Sequence, residues 1–199
     1  MIVDGPEPKN YFPLKDQAKF LYEVINTTYS ITEAPIVERY FLLETYTQTA
    51  SNNYIINTQI STPDLSYIPF KSQVLEKEGA NYLLKDNGLI TLIMRDNLSL
   101  NSTFDYNTFN INAEKIARVT AIDQPADGFA NSLTLTFQAD SSLINKDVEI
   151  RKYADGTGLY YEEITHISYC QSSPECIGTG QIVSGSSYIK RNIPMSLID

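Results

Sequence analysis

The sequence predicts an all-β protein: a single antiparallel β domain, built as a curled sheet or half-barrel or as a β-sandwich, with few or no helices. β-Branched and aromatic residues, which fit a pleated surface, are frequent, and 14 Tyr and 8 Phe are present. Short apolar segments recur along the chain, with turn residues every 8–12 positions, as in sandwiches and barrels. Hydrophobic residues make up 42% of the chain and charged residues 20%, which indicates a globular protein.

One domain accounts for most of the chain. Residues 1–10 contain two prolines and no periodicity, so we interpret them as an extended leader. No change of composition divides residues 11–199, which we interpret as the single antiparallel β domain. The chain has no run of 18 apolar residues of the kind that a membrane-spanning helix needs.

The N-terminal half contains several strand signals. Asn87-Gly88 separates two of them and predicts a type I′ hairpin turn, because both central positions of that turn need positive φ. Pro63 and Asp64 predict another turn. The predicted strands are residues 19–26, 53–61, 65–75, 81–86 and 89–95.

Residues 33–46 fit two interpretations. Pro35 suits the first position of a helix, and Ile36, Tyr40 and Leu43 would then share a face, which Glu44 interrupts. The same region, extended over residues 36–49, also fits a long strand that ends in alternating threonines. We favour the strand because its neighbours are strands.

The C-terminal half alternates more regularly. Leu133, Leu135 and Phe137 share one face of their strand, and we expect them to lie with Leu159 in one core. Gly156 and Gly158 predict a tight turn between two strands rather than a phosphate-binding loop, since no helix follows. The predicted strands are residues 115–122, 132–139, 147–153, 158–169 and 181–191.

Residues for catalysis or metal binding are scarce. His166 is the only histidine, and no Gly-x-Ser-x-Gly motif accompanies it, so we interpret it as a strand residue on a mixed polar face. Glu162 and Glu163 are adjacent and should point to opposite faces of a strand, which leaves a carboxylate pair for hydrolysis as a minor alternative. A last group lacks the spacing of a calcium-binding EF-hand: Asp140, Asn145 and Asp147. We predict no catalytic, cofactor-binding or metal-ligating residue and no enzymatic activity.

The two cysteines are more informative. Cys170 and Cys176 enclose Gln-Ser-Ser-Pro-Glu, and a loop this short can bring their Cβ atoms within bonding range. Closing such a loop stabilises a protein by about 2 kcal/mol. We predict a disulfide, with free thiols as the alternative. A disulfide would indicate an oxidising compartment.

Two stretches of the sequence resemble uncharacterised secreted lipoproteins from Bacteroidetes-type bacteria. Asn10-Tyr-Phe-Pro-Leu-Lys15 followed by Lys19-Phe-Leu-Tyr-Glu23 is similar to their opening, and Tyr153-Ala-Asp-Gly-Thr-Gly-Leu-Tyr-Tyr-Glu-Glu163 is similar to a later motif. The resemblance implies a lipid-anchored protein of the bacterial cell envelope, in the periplasm or at the outer membrane surface. Its lipidated cysteine would lie upstream of residue 2, and no catalytic residue is implied.

Three functions are compatible with these sequence features. The first is a non-enzymatic envelope lipoprotein domain that acts by binding or scaffolding. The second is a periplasmic carrier of a lipid or other hydrophobic ligand, which a buried apolar cavity above about 300 Å³ would favour. The third is a hydrolase that uses acidic residues, which two facing carboxylates would favour.

The partner classes follow from charge and resemblance. Fifteen basic against 24 acidic residues give a net charge of −9, which speaks against nucleic-acid binding. We expect a protein, glycan or lipid ligand, membrane contact only through the upstream lipid anchor, and a monomer.

Overall fold

In the computed structural model, which describes residues 9–61 and 66–195, twelve β-strands form one antiparallel sheet. The order across the sheet is β6-β5-β4-β3-β2-β1-β12-β11-β10-β9-β8-β7, so the first and last strands pair at its centre. The strands are β1 (Lys19–Ser30), β2 (Ile36–Ala50), β3 (Asn53–Ser61), β4 (Tyr67–Glu78), β5 (Asn81–Asp86), β6 (Leu89–Arg95), β7 (Thr103–Asp105), β8 (Ile116–Ala126), β9 (Phe129–Ser141), β10 (Asn145–Ala154), β11 (Gly158–Tyr169) and β12 (Ile182–Ile193).

The two edges of this sheet meet. The amide of Leu92, in edge strand β6, donates to the carbonyl of Tyr106, which follows edge strand β7, at 3.0 Å. The side-chain amide of Asn110 donates to the carbonyl of Ile90 at 2.8 Å. The sheet therefore curls into a nearly closed barrel. This confirms the all-β antiparallel prediction and, for the described residues, its curled-sheet form rather than the two-sheet sandwich.

Tight turns join the predicted hairpins. Asn87 and Gly88 have φ of 47° and 82° and connect β5 to β6. Gly156 lies in the turn between β10 and β11, and Gly158 begins β11, so both predicted hairpins are confirmed. The predicted turn at residues 63–64 lies outside the described residues. The strand predicted over residues 115–122 is longer than expected, because β8 continues to Ala126.

Residues 36–49 form a strand, as favoured, and the helix interpretation is wrong. β2 pairs with β1 and β3 along most of its length, which satisfies its backbone groups and buries Leu42, Glu44 and Tyr46 on one face. The sequence pattern does not predict β7. Its three residues are too few to show a period.

Leu133 and Leu135 are fully buried at the centre of the main hydrophobic cluster. Phe137 and Leu159 pack against the same cluster but are only partly buried. The predicted core is therefore confirmed, with its outer members nearer the surface than expected. The difference matters for Leu159, because its side chain lines an internal cavity.

The two ends of the barrel differ. Residues 10–18 cross one end, which we call the closed end: the carbonyl of Asn10 accepts from Gly156 at 2.9 Å, and the carbonyl of Ala18 accepts from Tyr46 at 2.9 Å. Between these points the ring of Phe12 lies 5.0 Å from that of Tyr82. Strands β5, β6 and β7 are shorter than β1 or β2, so the barrel wall is shorter on their side of the opposite end. We call this opposite end the open end.

No helix in residues 9–61 or 66–195 combines the length and the apolar character that crossing a membrane requires.

Candidate functional site

A cavity of about 420 Å³ lies inside the curled sheet. It extends from Phe12 and Pro13, in the segment that crosses the closed end, to Asn87 and Leu89 at the β5–β6 hairpin. Much of its wall is apolar, and the side chains that form this part come from both halves of the barrel. They include Phe20, Tyr46, Ile56, Leu84, Ile93 and Leu159.

The mouth of the cavity lies beside the β5–β6 hairpin. Three of the residues that line the cavity are exposed to solvent: Lys71 in β4, Asn87 in the hairpin turn and Leu89 at the start of β6. The hairpin joins β5 to β6 here, whereas β4 continues beyond it to Tyr67.

One ion pair is buried in the wall. Nζ of Lys190 in β12 lies 2.7 Å from Oε1 of Glu44 in β2, and both residues are 8% exposed. Tyr22 in β1 lies between these strands, with its ring centre 3.9 Å from Nζ of Lys190. Burial, followed by the charge of Glu44, raises the pKa of the Tyr22 hydroxyl well above its usual value, so Tyr22 stays neutral.

A second ion pair joins β10 to β11. Nε of Arg151 lies 2.6 Å from Oε1 of Glu162. The guanidinium of Arg151 also stacks near two aromatic rings, with Cζ 4.8 Å from the centre of Tyr106 and 4.9 Å from that of Phe137. Both aromatic faces therefore support the cation while Glu162 balances its charge.

A third buried carboxylate, Glu149, lies beside this pair. Its Oε1 is 2.6 Å from Nζ of Lys115 and 3.9 Å from the guanidinium of Arg151, in ion pairs that lack the alignment of hydrogen bonds. Glu44, Arg151 and Lys190 were not among the predicted site residues. An available signal was Glu44 itself, which stands between Leu42 and Tyr46 on an otherwise apolar strand face.

The ion pair with Arg151 makes Glu162 a poor general acid. Burial alone would raise the pKa of Glu162, but the nearby charges of Arg151 and Lys190 outweigh it and hold this pKa below its usual value. Hydrolysis by a carboxylate pair needs one member with a raised pKa. Glu163, as predicted, lies on the other face, where it accepts hydrogen bonds from Tyr161 and Thr165.

His166 lies on the concave face nearer the open end, with its side chain about half exposed. Its Nδ1 is 2.8 Å from Oδ1 of Asp147, and this contact, followed by a hydrogen bond from Asn145, lowers the pKa of Asp147. Ser186 is the cross-strand neighbour of His166. No hydroxyl of residues 9–61 and 66–195 hydrogen-bonds to the other ring nitrogen, so the pair is not a Ser-His-Asp triad.

The residues considered for calcium come close together but form no metal centre. Asp140 is the cross-strand neighbour of Asp147, and Asn145 donates to Asp147 at 2.5 Å. In the described part of the chain, no three His, Cys, Asp or Glu side chains are arranged to hold a metal ion.

The structure bonds Cys170 to Cys176, with their Cα atoms 5.7 Å apart, as the sequence predicts. Cys170 directly follows β11 and is buried, and its amide donates to the carbonyl of Gln181. The disulfide therefore closes the loop between β11 and β12 at the open end.

Comparisons with known proteins identify no family. No family model matches the sequence, and no curated protein matches it. Among solved structures, the chain is weakly similar to a LolA superfamily protein from Nitrosomonas europaea, at 13% identity over 92% of this chain and 90% of that one. The TM-score is 0.20, which is too low to establish a shared fold.

Proposed function

We propose that this protein is a non-enzymatic binding protein that holds a hydrophobic or amphipathic small molecule in the cavity of its curled sheet. The single observation that carries this proposal is the cavity itself. Its volume of about 420 Å³ lies in the usual range of ligand pockets, apolar and aromatic side chains form about half of its wall, and its mouth is exposed beside the β5–β6 hairpin. Of the functions considered from the sequence, this one is the carrier of a hydrophobic ligand.

The proposed location is the bacterial cell envelope. Two observations support it: the disulfide between Cys170 and Cys176, which persists in oxidising compartments, and the resemblance of two sequence motifs to secreted lipoproteins. Radiolabelled palmitate fed to the native organism should label the full-length product if an upstream cysteine is lipidated. An unlabelled product would contradict the proposed anchor.

Binding of the neutral dye Nile red tests the proposed function directly. Thr91 lines the cavity from β6 and is half-buried, so Thr91→Phe should fill part of the space. Thr120 in β8 is exposed and does not line the cavity, so Thr120→Phe is the matched control. We expect the wild-type chain and Thr120→Phe to bind the dye and Thr91→Phe to lose most of the affinity.

The thermal unfolding midpoint of each variant shows whether the fold is intact. A folded wild-type chain that does not bind the dye would refute the proposed function. Equal binding by folded Thr91→Phe and Thr120→Phe would place the dye elsewhere and would also refute it.

A further inference from the structure

Beyond its apolar surface, the cavity has one strongly polar wall. We define the polar wall by five side chains that line the cavity: Glu44, Lys71, Arg151, Glu162 and Lys190. Three are cationic and two are anionic. The wall therefore carries one positive charge more than its own carboxylates balance.

Lys71 is the cation that remains. Lys190 is paired with Glu44, and Arg151 is paired with Glu162. Within the described part of the chain, no carboxylate lies within 4 Å of the Lys71 ammonium. Lys71 still faces the interior, since it lines the cavity and its cross-strand neighbour Thr58 is buried on the same face of the sheet.

A buried hydroxyl lies next to Lys71. Thr58 in β3 is 1% exposed, and its cross-strand neighbours are Lys71 on one side and Glu44 on the other. Its Oγ1 has no hydrogen-bond partner among the described residues. A buried hydroxyl without a partner is destabilising, and this one lies on the same face of the sheet as Lys71.

Asp86, the remaining charged group of the lining, already has a hydrogen-bond partner. Its Oδ2 accepts a hydrogen bond from the side-chain amide of Gln73 at 2.7 Å. Asp86 therefore already has a neutral partner, whereas Lys71 has none among residues 9–61 and 66–195. This difference favours an anionic over a cationic ligand.

We propose that the ligand is an anionic amphiphile: a single aliphatic chain with a carboxylate, sulfate or phosphate head. The head would lie at the mouth, against Lys71, and the chain would extend over Phe20, Tyr46 and Ile93. This inference rests on the proposed function, because it names the chemistry of the ligand that the same cavity holds.

Three probes with the same decyl chain separate head-group preference from simple apolar binding. Decanoate is anionic, decanol is neutral and decyltrimethylammonium is cationic. In calorimetric titrations at one ionic strength and below the micelle concentration, we expect decanoate to bind most tightly. We expect Lys71→Gln to weaken decanoate binding about tenfold, which corresponds to about 1.4 kcal/mol, while leaving decanol binding unchanged.

Lys19→Gln is the matched control. Lys19 is exposed at the start of β1 and does not line the cavity, so its loss should leave all three affinities unchanged. Decanol binding as tightly as decanoate, or an unchanged decanoate affinity in Lys71→Gln, would overturn the anionic head while keeping the proposed function. Tighter binding of the cationic probe would do the same and would point to Asp86. No binding of any probe would contradict the proposed function itself.

Discussion

Nζ of Lys190 lies 2.7 Å from Oε1 of Glu44, although the two residues are 146 positions apart in the chain. Their strands, β12 and β2, both pair with β1, so the ion pair spans β1 on the concave face. The ring of Tyr22, from β1, lies next to the Lys190 ammonium. The contact thus ties the last strand to the second and forms part of the cavity wall.

Removal of one partner of this pair should be costly. In Lys190→Met the carboxylate of Glu44 stays buried without its cation, and such a loss typically destabilises a protein by about 3–5 kcal/mol. The double variant Lys190→Met with Glu44→Leu should recover most of the stability, because no buried charge remains. Urea denaturation of both variants measures this. A single variant as stable as the double one would show that the pair is not effectively buried.

Glu162 should make the protein sensitive to acid. The pKa of Glu162 is lowered in the folded state, so its ionised form stabilises the fold above its ordinary pKa of about 4.5. That stabilisation is lost as the pH falls below about 4.5 and through the folded pKa. Urea midpoints between pH 7 and pH 3 should therefore fall less steeply in Glu162→Gln than in the wild-type chain.

Glu162→Gln should also be less stable than the wild-type chain at neutral pH, because Arg151 would lose its closest carboxylate. Breaking a buried ion pair costs about 3–5 kcal/mol. Glu163→Gln, on the opposite strand face, is the matched control and should keep the wild-type acid slope. An identical slope in Glu162→Gln and the wild-type chain would contradict the assignment.

Gly185 should tolerate no side chain. Its φ is 133°, and a Cβ placed there would lie 2.1 Å from the carbonyl oxygen of His166, which is backbone and cannot move aside. We expect Gly185→Ala to destabilise the protein by more than about 2 kcal/mol, in the range of severe backbone strain. Ser184→Ala, at the adjacent exposed position, should change stability by less than about 0.5 kcal/mol. Equal denaturation midpoints for the two variants would rule out the close approach of β11 and β12.

Leu135→Ala tests the main core. Leu135 is fully buried, and truncation of such a side chain typically costs about 2–5 kcal/mol. Leu143 is 67% exposed, so Leu143→Ala should be nearly neutral. A wild-type midpoint for Leu135→Ala would mean that this strand face is not packed as described.

The disulfide can be tested by thiol titration and by the mass change on reduction. Protein exported to the periplasm and denatured without reductant should contain no titratable thiol, and reduction should raise its mass by about two units. Replacement of Cys170 and Cys176 by serine should lower the free energy of unfolding by about 2 kcal/mol. Two free thiols in the exported protein would show that the disulfide does not form. The cysteines would then give no support for an oxidising compartment.

Local sequence determined the elements of this fold. Asn87-Gly88 and Gly156 to Gly158 mark hairpins, because few residues other than glycine and asparagine adopt positive φ readily. The alternation of Leu133 and Leu135 defines a buried strand face, because successive side chains in a strand point to opposite sides. The closeness of Cys170 and Cys176 predicts their bond, because a short loop keeps them together. All of these signals act over a few residues.

Only the tertiary structure decided the site. Glu44, Lys71, Arg151 and Lys190 come from four strands, and no spacing in the sequence shows that curling of one sheet brings them around a common space. Residues 33–46 were ambiguous for the same reason: pairing of β2 with β1 and β3 overrides the local helix signal at Pro35. The cavity exists because strands of unequal length close into one barrel, and strand order across a sheet is set by contacts between distant segments.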